Sequence, residues 1–151
     1  MTEHTDLGAP VLVSACLAGY PCRYDGSAFP CPAVVRMVEQ GRAVPVCPEQ
    51  LGGLPTPRAP MELRNGRVVA NSGADCTEAF SLGARKGLEV ARAHGCVRAI
   101  LKSRSPSCGS GFVYDGAFSG RLVPGDGVFA ALLKEQGFAV TTEAENQEQG
   151  G

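Results

Sequence analysis

Seven cysteines and two histidines are the residues of this 151-residue chain best suited to hold a metal or attack a substrate. Their spacing excludes several arrangements. No Cys-x-x-Cys occurs, which removes the usual zinc ribbon, the thioredoxin-like dithiol and the zinc deaminase signature. His4 and His94 fall in the N-terminal tail and near a helix end, away from the loops that carry cysteine, so a mixed Cys–His zinc site is disfavoured. An odd number of cysteines cannot all pair within one molecule, and a reducing compartment disfavours structural disulfides. Two readings remain. Dispersed cysteines behave as small buried hydrophobes, and thiolates are also soft ligands suited to iron–sulfur clusters. Spacing alone leaves the two evenly balanced. A cluster held by three protein cysteines would keep one iron free for a substrate atom, as catalytic zinc keeps an open position.

The hydrophobic pattern predicts the elements that must position these thiols. Residues 10–16 are a short apolar run, read as a buried strand ending at Cys16. Residues 33–39 predict a short helix, approached through Pro30 and Pro32 and stopped by Gly41. Residues 43–47 predict a second strand, and Pro45 points to an edge position for it. Residues 48–71 form a long Pro- and Gly-rich connection, of a length that suggests covering a site, with an Asn65-Gly66 hairpin signal inside it. Residues 75–94 make the best helix. Asp75 is expected to cap it with Glu78 as reciprocal partner, Phe80, Ala84, Gly87, Leu88 and Ala91 share one face, and Gly95 closes it. Residues 97–101 predict a third strand and residues 102–126 a second long loop. Asp126 is expected to cap a helix running to about Gln136, ended by Gly137, before a fourth strand over 138–141.

Strands alternating with helices predict an α/β fold: one Rossmann-like or flavodoxin-like domain over residues 11–142, with a mostly parallel sheet and helices on both faces. Residues 1–10 and 143–151 are polar and expected to be flexible. Ligands of such sheets bind outside the carboxyl ends of the strands. Cys16 and Cys47 end the first two strands and Cys108 follows the third, so three distant residues should meet at one rim. Cys22, in the loop after Cys16, is the best-placed fourth ligand, with a non-ligand role favoured. Cys31, between two prolines, and Cys76 and Cys96, bracketing the long helix, read as packing residues.

The apolar fraction of 44% is ordinary for a globular domain, and a net charge of −1 with no run of Lys or Arg argues against a stable nucleic-acid partner. Residues 1–10 lack the basic and apolar regions of a secretory signal, and no apolar run is long enough to cross a bilayer. The expectation is a cytoplasmic protein with no membrane association.

Several segments in order resemble the 2-thiouracil desulfidase family. They are Val11-Leu-Val-Ser-Ala-Cys-Leu-Ala-Gly19, Cys22-Arg-Tyr-Asp-Gly26, Cys47-Pro-Glu-Gln-Leu-Gly-Gly-Leu-Pro-Thr-Pro-Arg58, Gly73-Ala-Asp75, Ile100-Leu-Lys-Ser-Arg-Ser-Pro-Ser-Cys-Gly109 and Tyr114-Asp-Gly-Ala-Phe-Ser-Gly120. The likeness runs from about Val11 to Val140. It implies a 4Fe-4S cluster held by Cys16, Cys47 and Cys108 with one iron lacking a protein ligand, and a catalytic pair on Glu49 and Ser105. The expected reaction is non-redox conversion of a thiolated pyrimidine to its oxo form and hydrosulfide, with the substrate sulfur on the open iron. Expected partners are a small thiolated nucleobase and the iron–sulfur assembly machinery. Arg23, Asp25 and Arg58 lie in loops that should surround the site, as substrate contacts or as loop braces. Without the resemblance, a solvated loop charge is the alternative for Glu49, and the cap of a Ser-Pro turn is the favoured reading of Ser105. Two other functions compete: an iron–sulfur electron carrier or redox sensor, and a metal-free enzyme in which Cys108 is the nucleophile.

Overall fold

A computed structural model describes residues 8–145. Its centre is a four-stranded parallel sheet of β1 (Val11–Ser14), β2 (Ala43–Val46), β5 (Arg98–Leu101) and β8 (Ala139–Thr142), in the order β2-β1-β5-β8. All four residues of β1 are buried, as expected of a central strand covered on both faces. Pro45 has no N–H to donate, and it pairs with Val13 from the edge strand β2, as its presence predicts.

Alternation along the strands sends side chains to two cores. Leu12, Val46, Ala99 and Leu101 meet helices α3 (Thr77–Ala93) and α4 (Val128–Glu135) on one face, where Phe129, Leu133, Leu88 and Cys96 are buried. Val11, Val13 and Ala43 meet Val34 of helix α1 (Pro32–Glu39) on the other. The expected single α/β unit with helices on both faces is observed.

Several local expectations need correction. The capping box on the long helix does not form. Cys76 takes the N-cap position, and Asp75 accepts the Thr77 N–H at 2.9 Å and pairs with Arg67 at 2.5 Å. Asp126 does not cap α4 either. Gly127 is the N-cap, while Asp126 accepts from the Gly111 N–H and from Lys134, each at 2.9 Å. In both places a cation competes successfully for the carboxylate. The loop over 48–71 contains a short helix α2 (Pro48–Leu51) as well as the expected hairpin, β3 (Met61–Arg64) and β4 (Arg67–Ala70). Asn65 and Gly66, with φ of 52° and 78°, make its turn, the conformation that favours Asn-Gly. The loop over 102–126 hides a second hairpin, β6 (Phe112–Tyr114) and β7 (Leu122–Pro124). Residues 143–145 continue in a helical turn, and residues 1–7 and 146–151, the rest of the tails expected to be flexible, lie outside the described residues. Glu143 is buried, where a flexible tail was expected.

Candidate active site

The strand order sets where a ligand can sit. The chain leaves β1 toward β2 on one side and later builds β5 and β8 on the other, so β1 and β5 flank the switch point. Their carboxyl ends are tied together by the Ser14 hydroxyl, which accepts the Lys102 N–H at 2.9 Å. Beyond these ends lies a cavity of about 520 Å³, lined by Cys16, Cys22, Cys47, Cys108, Glu49, Ser105, Arg23, Arg58 and Lys102 among others.

Each thiol arrives by a different local device. Cys16 was expected to end β1, but the strand stops at Ser14 and Cys16 sits in the 3-10 turn Ala15–Ala18 that follows. Cys47 follows β2 and is the N-cap of α2, whose first turn carries Glu49. This short helix is clamped by α3: a Cβ on Gly83 would lie 1.8 Å from the Pro48 carbonyl oxygen, and one on Gly52 would lie 2.0 Å from that of Ala79. Only glycine permits this backbone approach. Cys108 lies in the loop after β5, where the Ser105 hydroxyl oxygen accepts the Ser107 N–H at 3.1 Å and the Cys108 N–H at 3.0 Å. The turn-forming role of Ser105 and its place on the cavity wall are therefore both real, and its own proton has no acceptor among the described residues.

The thiols that line the cavity are largely buried. Cys22 meets both neighbours. Its thiol contact with Cys16 raises it to about 11, and contact with Cys22 followed by burial pushes Cys47 well above the ordinary thiol range. The Cys47 thiol also donates to the Cys22 carbonyl at 3.8 Å. Burial raises Cys108 to about 12, against the lowering effect of the Ser14 hydroxyl. All seven cysteines are free. Among the described residues no three His, Cys, Asp or Glu are gathered so as to hold a single metal ion. Thiolates are soft ligands that suit an iron–sulfur cluster, and thiol protons would leave on metal binding.

The opposite side is ionic. Arg58 Nε donates to Glu49 Oε1 at 2.8 Å, with side-chain exposures of 4% and 15%. Asp25 does not reach the cavity. It is exposed, accepts from the Ser27 N–H and O–H at 3.0 and 2.5 Å, and those bonds hold its carboxyl below the ordinary range. These bonds make Asp25 a brace within the loop that begins at Cys22. Arg23 does line the cavity, 5.8 Å from the Phe29 ring centroid.

Sequence reasoning missed Lys102, which immediately follows β5. Its ammonium lies 4.5 Å from the Phe29 centroid and 3.3 Å from Glu143 Oε2. The strand-end rule that found the cysteines also applies to it. It missed the wall formed by Tyr114, Phe118 and Gly120 as well. Glu62 fixes that wall by accepting the Gly116 and Phe118 N–H groups at 3.0 and 3.1 Å. Cys31 and Cys96 are buried in the two cores, and the half-buried Cys76 also lies off the cavity. His94 contacts the Val90 carbonyl at 2.9 Å at the end of α3, and His4 lies outside the described residues.

Comparison with known proteins agrees with this architecture. The 2-thiouracil desulfurase family model matches residues 11–145. The uncharacterized protein YbbK of Bacillus subtilis (strain 168) is 45% identical over 145 residues, covering 89% of this chain and 96% of that protein. The solved structure of the 4Fe-4S-dependent thiouracil desulfidase TudS superposes with a TM-score of 0.87 at 43% identity, covering 93% of this chain and 94% of that one. The chain belongs to the 2-thiouracil desulfurase family.

Proposed function

We propose that this protein is a cytoplasmic desulfidase that replaces the thiocarbonyl sulfur of a thiolated pyrimidine, of the 2-thiouracil type, with oxygen from water. The observation that carries this reading is the convergence of Cys16, Cys47 and Cys108, from three separate strand ends, on one cavity that also holds Glu49 and Ser105. The three thiols would hold a 4Fe-4S cluster, a fit supported by a donor set of thiols without histidine. When bound, the cluster supplies a thiophilic Lewis acid, with an iron free of protein ligand to take the substrate sulfur.

The remaining work falls to the chain. The balance is one thiocarbonyl and one water giving one carbonyl and one hydrogen sulfide, with no net electron transfer. Glu49 takes the proton from the attacking water. Its Oε1 is held by Arg58, and Oε2 has no hydrogen-bond partner among the described residues, so Oε2 is the basic atom. Ser105 can donate its free hydroxyl proton toward the reacting centre while its oxygen keeps the Cys108 turn closed. The buried thiols and apolar wall residues limit water around the heterocycle. Iron–sulfur assembly machinery would be the partner that loads the site.

Two features weigh against the competing functions. A metal-free nucleophile needs a depressed thiol pKa, and burial pushes Cys108 the other way. An electron carrier has no use for a roomy cavity bearing a carboxylate.

The deciding experiment is anaerobic reconstitution with iron and sulfide, followed by assay with 2-thiouracil while measuring uracil and sulfide. Cluster absorbance with stoichiometric release of both products is expected. Protein that takes up no iron, or full turnover by an iron-free preparation, would sink the reading.

A further inference from the structure

Glu49 is not held by its own helix alone. The residue that reaches it, Arg58, spends its side chain on the protein. Nε donates to Glu49 Oε1 at 2.8 Å, Nη1 to the Pro55 carbonyl at 3.1 Å and the Thr56 hydroxyl at 2.8 Å, and Nη2 to the Cys22 carbonyl at 2.8 Å. An arginine has five N–H donors in a rigid fork, and four are committed here. Its side chain is 4% exposed. The Arg58 N–H also donates to the Tyr24 carbonyl at 2.7 Å, so both main chain and side chain join this segment to the loop beginning at Cys22. The Cys22 carbonyl that Arg58 grips is the one that receives the Cys47 thiol at 3.8 Å.

We propose that Arg58 is the positioning residue of the reaction: its guanidinium fixes the Glu49 carboxylate by one oxygen, leaves the other as the base, and locks it to the Cys22 wall without touching substrate. This deepens, and rests on, the assignment of Glu49 as the base. The division follows from the geometry. A bidentate pairing would occupy both carboxylate oxygens, whereas the pairing through Nε holds only Oε1. The remaining guanidinium donors anchor the fork to two main-chain carbonyls and one hydroxyl, so the carboxylate cannot swing with a mobile arginine. A lysine has neither the planar fork nor the donors to do the same. Gln50 braces the same turn by donating to Thr56 Oγ1 at 2.9 Å.

The test is a double-mutant cycle on the anaerobically reconstituted protein. The four proteins are wild type, Arg58→Met, Glu49→Gln and the double variant, with iron content and cluster absorbance measured beside kcat and KM. In the wild-type background Arg58→Met should lower kcat by about 10–100-fold, the scale of a misplaced catalytic group, with KM within about threefold and iron unchanged. In the Glu49→Gln background the same change should cost less than about threefold, because the group it positions is already gone. Arg58→Lys keeps the buried charge and carries the same cycle if the methionine variant does not fold. Equal losses in both backgrounds would overturn the proposal. So would a loss confined to KM, which would make Arg58 a substrate contact, or a loss of iron, which would make it a brace for the thiols. If Glu49→Gln keeps full turnover, the base assignment falls and takes this role with it. If Glu49→Gln is inactive and Arg58→Met is not, only the positioning role falls.

Discussion

The thiols and the Glu49–Arg58 pair share one cavity, yet different parts of the molecule hold them there. Cys16, Cys47 and Cys108 are placed by main chain: a 3-10 turn after β1, an N-cap after β2 and a serine-closed turn after β5. Among the described residues they have no ionic partner; contact with the Cys22 thiol raises Cys47, and burial raises Cys108. The carboxylate side depends on side chains, above all on an arginine that spans three segments. Placement by main chain leaves a side chain little freedom, and it depends on one side chain only at Cys108, whose turn the Ser105 hydroxyl closes. Placement by a side-chain network is adjustable, and one replacement can undo it. Under the proposed function, the first device would serve to hold the cofactor and the second to move the proton.

The largest effects should come from attacking each side alone. Cys16→Ser, Cys47→Ser or Cys108→Ser should abolish or destabilise the cluster, seen as loss of its absorbance and of iron after anaerobic reconstitution. Glu49→Gln should keep both and lose about 10²–10⁴-fold in turnover, the usual contribution of a positioned acid–base group. Near-normal turnover in Glu49→Gln with a full cluster would erase the distinction.

Ser105→Ala should blur the boundary, because this residue belongs to both sides. It loses a hydroxyl proton donor, and it leaves the Ser107 and Cys108 N–H groups without their acceptor, at about 1–3 kcal/mol. Turnover should fall, and iron content and Tm should fall with it. A variant with unchanged Tm and iron would show that the turn does not depend on the hydroxyl.

Gly83→Ala strikes neither side directly. The added carbon would meet the Pro48 carbonyl, forcing α2 away from α3 at about 1–3 kcal/mol, the range for overpacking. Glu49 rides on α2 and Cys47 is its N-cap, so turnover should drop beyond what the Tm change explains and cluster absorbance should fall with it.

The smallest effect is expected from pH, at Glu143, the partner of the cavity-lining Lys102. Burial pushes Glu143 up, but the Ser103 N–H and hydroxyl and the Lys102 ammonium outweigh it, leaving its folded-state pKa below the ordinary 4.5. A depressed carboxylate stabilises the fold above its unfolded pKa. That contribution is lost as pH falls below 4.5 through the folded value. Thermal melts of the cluster-free protein should show an acid limb that Glu143→Gln flattens; an unchanged limb would remove Glu143 from the account.

The strand-end thiols were legible in the sequence because a parallel sheet carries its own rule: short apolar runs alternating with helices place their carboxyl ends together, whatever lies between. That rule brought Cys16, Cys47 and Cys108 to one rim and made Pro45 an edge residue. Gly41, Gly95 and Gly137 stopped helices near where expected, since a left-handed residue is a local property of the chain. The caps failed at Asp75 and Asp126 because Arg67 and Lys134 are brought to them only by folding.

By itself, then, the sequence determined the elements, their order and the three thiols that the order must gather, since these follow from local periodicity and chain connectivity. Tertiary structure alone decided that Asp25 stays outside the cavity, that the cavity-lining Lys102 pairs with Glu143, and that Arg58 pairs with Glu49. Which of several charged loop residues turns inward depends on partners distant along the chain, such as the Cys22 carbonyl 36 residues from Arg58, and no pattern of neighbours along the sequence encodes that choice.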